Sequence, residues 1–231
     1  MNLICGSLGV ICAFDGRLDT SFFLMLAAAV ADFCDGLAAR ALKAYSDIGK
    51  ELDSLSDLIS FGFLPAVMLN RLMTESGNCG IWSYIPLTIT VFSALRLARF
   101  NIDDRQKENF IGLATPACAI LCGALVHYIC KTPDSFLAPW AGTKLFIPVM
   151  SVILSFLMVS GMPMFSLKFK QNQKASPVYR MRIGFIGFCV AVSLAVFLLG
   201  LNFSMIFILA IIGYLVMNFS SWISAVLTPR H

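Results

Sequence analysis

The chain carries little charge. Only 13% of its 231 residues are Asp, Glu, Lys or Arg, whereas about 25% is usual in a soluble domain. Hydrophobic residues make up 58% of the chain, and its mean hydropathy is +0.83. This composition excludes an ordinary soluble domain and indicates an integral membrane protein. The net charge of +4 does not predict a nucleic-acid partner, because the basic residues lie in short loops beside apolar runs.

Several features of other protein classes are missing as well. The eight cysteines include no C-x-x-C pair, so we expect free thiols that pack as small apolar residues rather than a zinc site. Residues 1–14 lack the basic region and the small-residue cleavage site of a signal peptide. That first apolar run is short for a membrane span, so we expect an incomplete helix or a chain start further upstream. No acidic residue follows Asp134, which leaves the carboxy-terminal part without carboxylates for chemistry.

Long apolar runs separated by turn signals predict an all-α, polytopic transmembrane bundle. A helix needs about 20 apolar residues to cross a bilayer. The predicted helices cover about residues 1–14, 20–43, 49–73, 81–100, 111–130, 144–162, 183–200 and 203–227. A basic linker at 166–182 divides a six-helix core (1–165) from a carboxy-terminal two-helix extension (183–231), which we expect to be an accessory hairpin.

Lysine and arginine are distributed unevenly between the loops. Thirteen of the seventeen lie in the segments 40–50, 96–110, 168–182 and the carboxy-terminal tail. Because basic residues favour the cytoplasmic side of a membrane, we expect these segments and the amino terminus to be cytoplasmic. This orientation places residues 32–57 at the cytoplasmic face of a cell membrane.

Acidic residues concentrate in residues 32–57, which hold six of the thirteen Asp and Glu. Three- and four-residue spacing places one set of side chains on a face of one helix and a second set on a face of the next. Because the connection between the helices is short, we expect antiparallel neighbours whose carboxylates converge. The first set is Asp32, Asp35, Gly36, Ala39 and Arg40, and the second is Gly49, Asp53 and Asp57.

Four converging carboxylates in a membrane protein repel one another unless something neutralises them. Mg²⁺ and Mn²⁺ suit carboxylates combined with phosphate oxygens, and two such ions could bind a pyrophosphate. Gly36 would let a flat ligand approach the helix, and Arg40 could bind a phosphate through two hydrogen bonds. We interpret Asp47 and Glu51 as helix-end charges.

The spacing D-x-x-D-G-x-x-A-R-x8-G-x3-D-x3-D resembles the signature of the CDP-alcohol phosphatidyltransferases, with every fixed position filled. Enzymes of that family move a phosphatidyl group from a CDP-linked lipid to an alcohol and release CMP. The resemblance implies Asp32, Asp35 and Asp53 as ligands of two divalent ions. It implies Asp57 as a further ligand and as the base that takes the proton of the acceptor hydroxyl.

The resemblance also assigns contacts with the CDP-lipid. It implies that Asp32, Gly36, Arg40 and Ser46 touch this substrate. For Ser46 an equally good interpretation is that its side chain caps the amino terminus of the second helix.

The segments 51–66, 95–101 and 110–117 resemble bacterial integral-membrane phosphatidylserine synthases. This resemblance implies CDP-diacylglycerol and L-serine as substrates and a homodimer in the membrane. Glycerol 3-phosphate or an inositol phosphate remains an alternative acceptor. Arg96 and Arg99, with Asn101 just beyond, could hold the lipid phosphate or the serine carboxylate. The alternative is that they are flanking charges, but Arg96 lies within an apolar run and should face the bundle interior.

A cation transporter would also explain intramembrane acids, but it predicts acids spread over several helices near mid-membrane. His127 lies far along the chain from the acidic residues, and we interpret it as a packed residue rather than a catalyst.

Overall fold

Helices dominate the computed structural model, which describes residues 1–42, 46–78, 80–102, 110–141, 143–165 and 177–227. A π-helix (Leu58–Phe63) and a 3-10 helix (Ile81–Tyr84) accompany the α-helices, and two short strands, β1 (Phe110–Ile111) and β2 (Pro163–Met164), pair antiparallel. The predicted all-α bundle is confirmed. The α-helices are α1 (Asn2–Phe14), α2 (Leu18–Ala41), α3 (Asp47–Asp57), α4 (Leu64–Glu75), α5 (Leu87–Ile102), α6 (Thr115–Lys131), α7 (Ala138–Ala141), α8 (Phe146–Val159), α9 (Pro177–Leu198) and α10 (Ser204–Leu227).

Among the described residues, five helical segments are long and apolar enough to cross a membrane. The shorter apolar helices α1, α6 and α8 pack beside them. The chain is therefore an integral membrane protein, as its composition predicts. The five segments are Leu18–Ala41, Asp47–Glu75, Ile81–Ile102, Tyr179–Leu198 and Ser204–Ser224.

The helix that carries the second set of acids runs without a break from Asp47 to Glu75, but it changes its winding part-way. Ser46 directly precedes the first turn and caps the helix, because its hydroxyl accepts a hydrogen bond from the Gly49 amide at 3.0 Å. Directly after Asp57 it widens into the π-helix, a form that is rare and often found at functional sites. Sequence spacing predicts one regular helix here, because π-helical winding leaves no periodic pattern.

Small residues let α1 lie close to its neighbours. A Cβ atom added to Gly6 would lie 2.1 Å from the Ser60 hydroxyl, and one on Gly9 would lie 2.8 Å from a Leu64 methyl group. Small residues at such contacts are typical of membrane helices, because they allow backbones to approach. The first helix is therefore packed tightly against the π-helix and α4.

Two predicted helix boundaries are wrong. The helix predicted at 111–130 begins only at Thr115, because Gly112 adopts a positive φ of 75° and Phe110–Ile111 pairs with β2. The predicted linker at 166–182 is shorter than expected, since α9 starts at Pro177. Proline is favoured in the first turn of a helix. Residues 166–176 and the parts of the predicted cytoplasmic loops at 43–45 and 103–109 lie outside the described residues.

The carboxy-terminal helices are joined to the rest of the bundle. Helix α10 packs against α6, and the Asn218 side chain accepts a hydrogen bond from the Phe165 amide at 2.9 Å. The Tyr214 hydroxyl donates to the Phe165 carbonyl at 3.0 Å. That these helices are accessory to the chemistry stays a prediction.

Candidate active site

Three of the four carboxylates predicted to converge do so. Asp32 of α2 and Asp53 and Asp57 of α3 each offer a carboxylate oxygen, and these oxygens lie within 4.8 Å of one another. Asp32 and Asp57 are half-buried and Asp53 is exposed. We call these three residues the Asp triad. The four-residue spacing of Asp53 and Asp57 places both carboxylates on one side of α3, within reach of Asp32, as expected.

Asp35 is outside this triad. Its side chain is 60% exposed, and its carboxylate lies 3.6 Å from the amino-terminal nitrogen of Met1. Three-residue spacing places it on the same side of α2 as Asp32, but its carboxylate is directed to the chain terminus instead. Its assignment as a metal ligand stays a prediction.

Sequence reasoning did not identify Asn2 as part of the site. Its amide nitrogen donates to Asp57 at 2.9 Å and, more weakly, to Asp32 at 3.4 Å. Its side-chain oxygen is buried and has no hydrogen-bond partner among the described residues. The contacts join residues 30 and 55 positions apart in the chain, which no local spacing can reveal.

The site fits hard divalent cations. Its donors are carboxylate oxygens from three aspartates, and the amide of Asn2 that contacts two of them carries a side-chain oxygen to which no described residue donates a hydrogen bond. All-oxygen donor sets are what Mg²⁺ and Mn²⁺ prefer. Three like charges confined within 4.8 Å also favour a positively charged ligand.

The residues predicted to contact the CDP-lipid lie beside the triad on α2 and at the start of α3. Gly36 is open, since a Cβ atom there would meet only the Arg40 guanidinium, at 3.9 Å. Arg40 is exposed, and its guanidinium donates to the Gly36 carbonyl at 2.8 Å. Ser46 caps α3, so its alternative assignment as a helix cap is confirmed, while its contact with the substrate stays a prediction.

Arg96 and Arg99 line a cavity of about 820 Å³ between α5, β1 and the end of α8. Arg96 is only 7% exposed, and its guanidinium donates to the Thr115 hydroxyl at 3.1 Å. Its Nε has no hydrogen-bond partner among the described residues, and Asp57 attracts it electrostatically. The prediction that Arg96 faces the bundle interior is confirmed. Arg96 therefore lines the cavity and also interacts electrostatically with one carboxylate of the Asp triad.

Arg99 and Asn101 differ in their surroundings. Arg99 is exposed and makes one long contact, 3.5 Å, with the Val159 carbonyl. Asn101 does not line the cavity. Its amide donates to the Ser54 hydroxyl at 3.0 Å and to the Glu51 carboxylate at 3.3 Å. Asn101 therefore ties the end of α5 to α3, and its assignment to substrate binding stays a prediction.

His127 is a packed residue, as predicted. It is 1% exposed, its ring lies 5.0 Å from the rings of Phe22 and Phe203, and its Nδ1 contacts the Ser204 hydroxyl. These contacts hold α10 against α2 and α6.

The cysteines within the described residues are free thiols, as expected, and Cys79 lies outside them.

The family's sequence profile decides the classification. The profile described as CDP-alcohol phosphatidyltransferase matches residues 1–157, which include the Asp triad and the cavity-lining arginines. The chain belongs to the CDP-alcohol phosphatidyltransferase family.

Curated relatives are about one-third identical to this chain over the residues that align. A CDP-diacylglycerol–serine O-phosphatidyltransferase of Bacillus subtilis is 34% identical over 50% of this chain and 64% of its own length. The enzyme of that name from Mycobacterium leprae is 33% identical over 71% of this chain and 55% of its own. That of Methanocaldococcus jannaschii is 34% identical over 72% and 83%. The chain thus spans between half and two thirds of the two bacterial relatives.

Proposed function

We propose that the protein transfers the phosphatidyl group of CDP-diacylglycerol to the hydroxyl of L-serine, giving phosphatidylserine and CMP. The Asp triad carries this proposal, because its oxygens lie within 4.8 Å of one another. Asp57 of the triad also interacts electrostatically with Arg96, which lines the cavity together with Arg99. The choice of serine is supported by the names of the curated relatives. Glycerol 3-phosphate and inositol phosphates are the alternative acceptors.

Asp32, Asp53 and Asp57, with Asp35, would hold two divalent ions, Mg²⁺ or Mn²⁺. When bound, such ions neutralise the pyrophosphate of the CDP-lipid and the charge that develops on the departing CMP. Gly36 leaves room for the nucleotide, and the exposed Arg40 guanidinium lies beside it.

The displacement is direct. Asp57 takes the proton of the serine hydroxyl as a general base, and that oxygen attacks the phosphorus bonded to diacylglycerol. The bond between this phosphorus and the oxygen that bridges to the CMP phosphate breaks, and CMP leaves with that oxygen. No covalent enzyme intermediate is required.

The arginines orient the substrates. A buried guanidinium with an open donor suits a carboxylate or a phosphate, since both accept hydrogen bonds and carry negative charge. Arg96 and Arg99 therefore bind the serine carboxylate or the lipid phosphate at the mouth of the cavity. The reaction takes place at the cytoplasmic face of a cell membrane, with the lipid chains in the bilayer, and the protein acts as a homodimer.

Two variants test the Asp triad. We expect Asp57→Asn and Asp53→Ala to lower CMP release from CDP-diacylglycerol, serine and Mn²⁺ by about 10²–10⁴-fold, the usual effect of losing a general base or an ion ligand. Asp47→Asn is the matched control, because it removes an acid from the same helix outside the triad. Turnover equal to wild type in either triad variant would refute the assignment.

A screen of acceptors tests the choice of serine. CMP release should depend on serine and not on glycerol 3-phosphate or an inositol phosphate. CMP release with glycerol 3-phosphate or an inositol phosphate, and not with serine, would show that the acceptor is a different alcohol and that the reaction class is unchanged. Divalent-cation flux into liposomes without CMP release would favour a transporter instead.

A further inference from the structure

Asn2 brings a neutral amide from a third helix to the Asp triad. It lies in the first turn of α1 and is 4% exposed. Its Nδ2 donates to Asp57 at 2.9 Å and to Asp32 at 3.4 Å. Since Asp32 belongs to α2 and Asp57 to α3, one side chain contacts carboxylates of two different helices. Such a donor reduces the repulsion between the two carboxylates.

The position of Asn2 is fixed by its backbone as well as by its side chain. The fully buried Ser60 hydroxyl, in the π-helix, donates to the Asn2 carbonyl at 3.2 Å. One turn further along α1, Gly6 allows the close approach to Ser60 that this contact needs. The π-helix therefore holds Asn2 against Asp57, the residue that immediately precedes this helix in the chain.

The Asn2 side-chain oxygen points to a ligand. It is buried, and the described parts of the chain supply no hydrogen-bond donor to it. A buried polar atom without a partner is costly and calls for an explanation. It belongs to the same amide that contacts the carboxylates, so it lies at the edge of the Asp triad. A hydrated divalent cation in the triad would supply the missing donors, since Mg²⁺ in particular keeps several of its waters.

We propose that Asn2 is a positioning residue of the divalent-cation site. Its amide hydrogens hold the carboxylates of Asp32 and Asp57 close together, and its side-chain oxygen accepts a hydrogen bond from water of the hydrated cation. This inference rests on the cation site of the proposed function. Helix α1 would thus contribute directly to the affinity for the cation through Asn2.

The inference is tested by cation affinity rather than by turnover. Mn²⁺ is titrated by calorimetry into the full chain in detergent, without lipid substrate. We expect Asn2→Leu, which keeps the branching at Cγ and the number of side-chain heavy atoms, to raise the Kd for Mn²⁺ by about 10- to 100-fold, the usual effect of losing a residue that orients metal ligands. Asn70→Leu is the matched control. It removes a partly buried amide whose Nδ2 donates to the Ser83 carbonyl at 2.6 Å, away from the triad, and its Kd should stay within about twofold of wild type.

The outcomes separate this role from a structural one. If Asn2→Leu lowers the melting temperature but binds Mn²⁺ with the Kd of wild type, Asn2 only tethers α1 and the inference is refuted. If Asn2→Leu does not fold, Ser60→Ala decides, because it leaves the amide and every carboxylate in place. The Kd of the Ser60→Ala protein for Mn²⁺ should rise severalfold, and an unchanged Kd would refute the inference. Wild-type protein that binds no Mn²⁺ would refute the proposed cation site itself.

Discussion

Asp53→Asn should stabilise the protein without divalent cations and destabilise it, relative to wild type, in their presence. The variant keeps the shape of the side chain and removes one of three negative charges whose oxygens lie within 4.8 Å of one another. Two unit charges at that distance repel by about 0.9 kcal/mol in water and by about 3.5 kcal/mol at an effective dielectric constant of 20. Asp53 is exposed, so the lower value is the better guide.

With two neighbouring carboxylates, the substitution should raise the free energy of unfolding by about 2 kcal/mol in EDTA at pH 8.5 and low salt. Saturating Mn²⁺ should reverse the order. A cation at 100 times its Kd stabilises the folded state by about 2.7 kcal/mol. At the same concentration, a 100-fold higher Kd would leave Asp53→Asn only about 0.4 kcal/mol, so its loss exceeds the about 2 kcal/mol that it gains without the cation. If the Asp triad only stabilised the fold, Asp53→Asn would instead lower the free energy of unfolding both in EDTA and in Mn²⁺.

Thermal unfolding in detergent, followed by tryptophan fluorescence with EDTA or with MnCl₂, measures the effect. Asp47→Asn is the control, because Asp47 lies in the first turn of the same helix and outside the triad. Its melting temperature should respond to Mn²⁺ as wild type does. An Asp53→Asn protein that is less stable than wild type in EDTA, or that gains as much from Mn²⁺, would refute the reasoning.

Three further substitutions test other parts of the structure. Arg96→Ala should raise the KM for serine or for the CDP-lipid about tenfold, as expected for a lost charged hydrogen bond, with the fold intact; an unchanged KM for both would leave Arg96 as a flanking charge. Ser46→Ala should cost about 1 kcal/mol in the free energy of unfolding through loss of the helix cap, and a neutral result in chemical denaturation would contradict the cap. Gly112→Ala should lower the melting temperature, because φ is 75° and the new Cβ would lie 2.4 Å from the Met158 carbonyl oxygen. Gly161→Ala should not, because no atom of the described residues lies within 4 Å of a Cβ at that position, and equal melting temperatures for the two variants would contradict this account.

Helical spacing predicted the part of the site that lies within single helices. Asp53 and Asp57 are four residues apart, and a short connection to the helix of Asp32 was enough to predict that the three carboxylates meet. The apolar run around Arg96 predicted that its side chain faces the bundle interior, because a charge inside such a run must avoid lipid. Both predictions depend only on residues that are close to one another in the chain.

The remaining features depend on contacts between distant parts of the chain. Asn2 reaches the triad only because α1 packs against the π-helix, and neither that packing nor the π-helical winding has a sequence period. The pairing of β1 with β2 joins segments more than fifty residues apart, so the run at 111–114 resembled the start of a helix. Asp35 has the spacing of a ligand, and only the structure shows its carboxylate beside the amino terminus.

The most direct test of the proposed function follows isotope-labelled serine into lipid. Purified protein is incubated with CDP-diacylglycerol, labelled L-serine and Mn²⁺, and the lipids and CMP are quantified by mass spectrometry. The account predicts labelled phosphatidylserine and CMP in equal amounts, and neither product when EDTA replaces Mn²⁺. CMP formed without labelled lipid, or a labelled lipid formed only from glycerol 3-phosphate or an inositol phosphate, would contradict it.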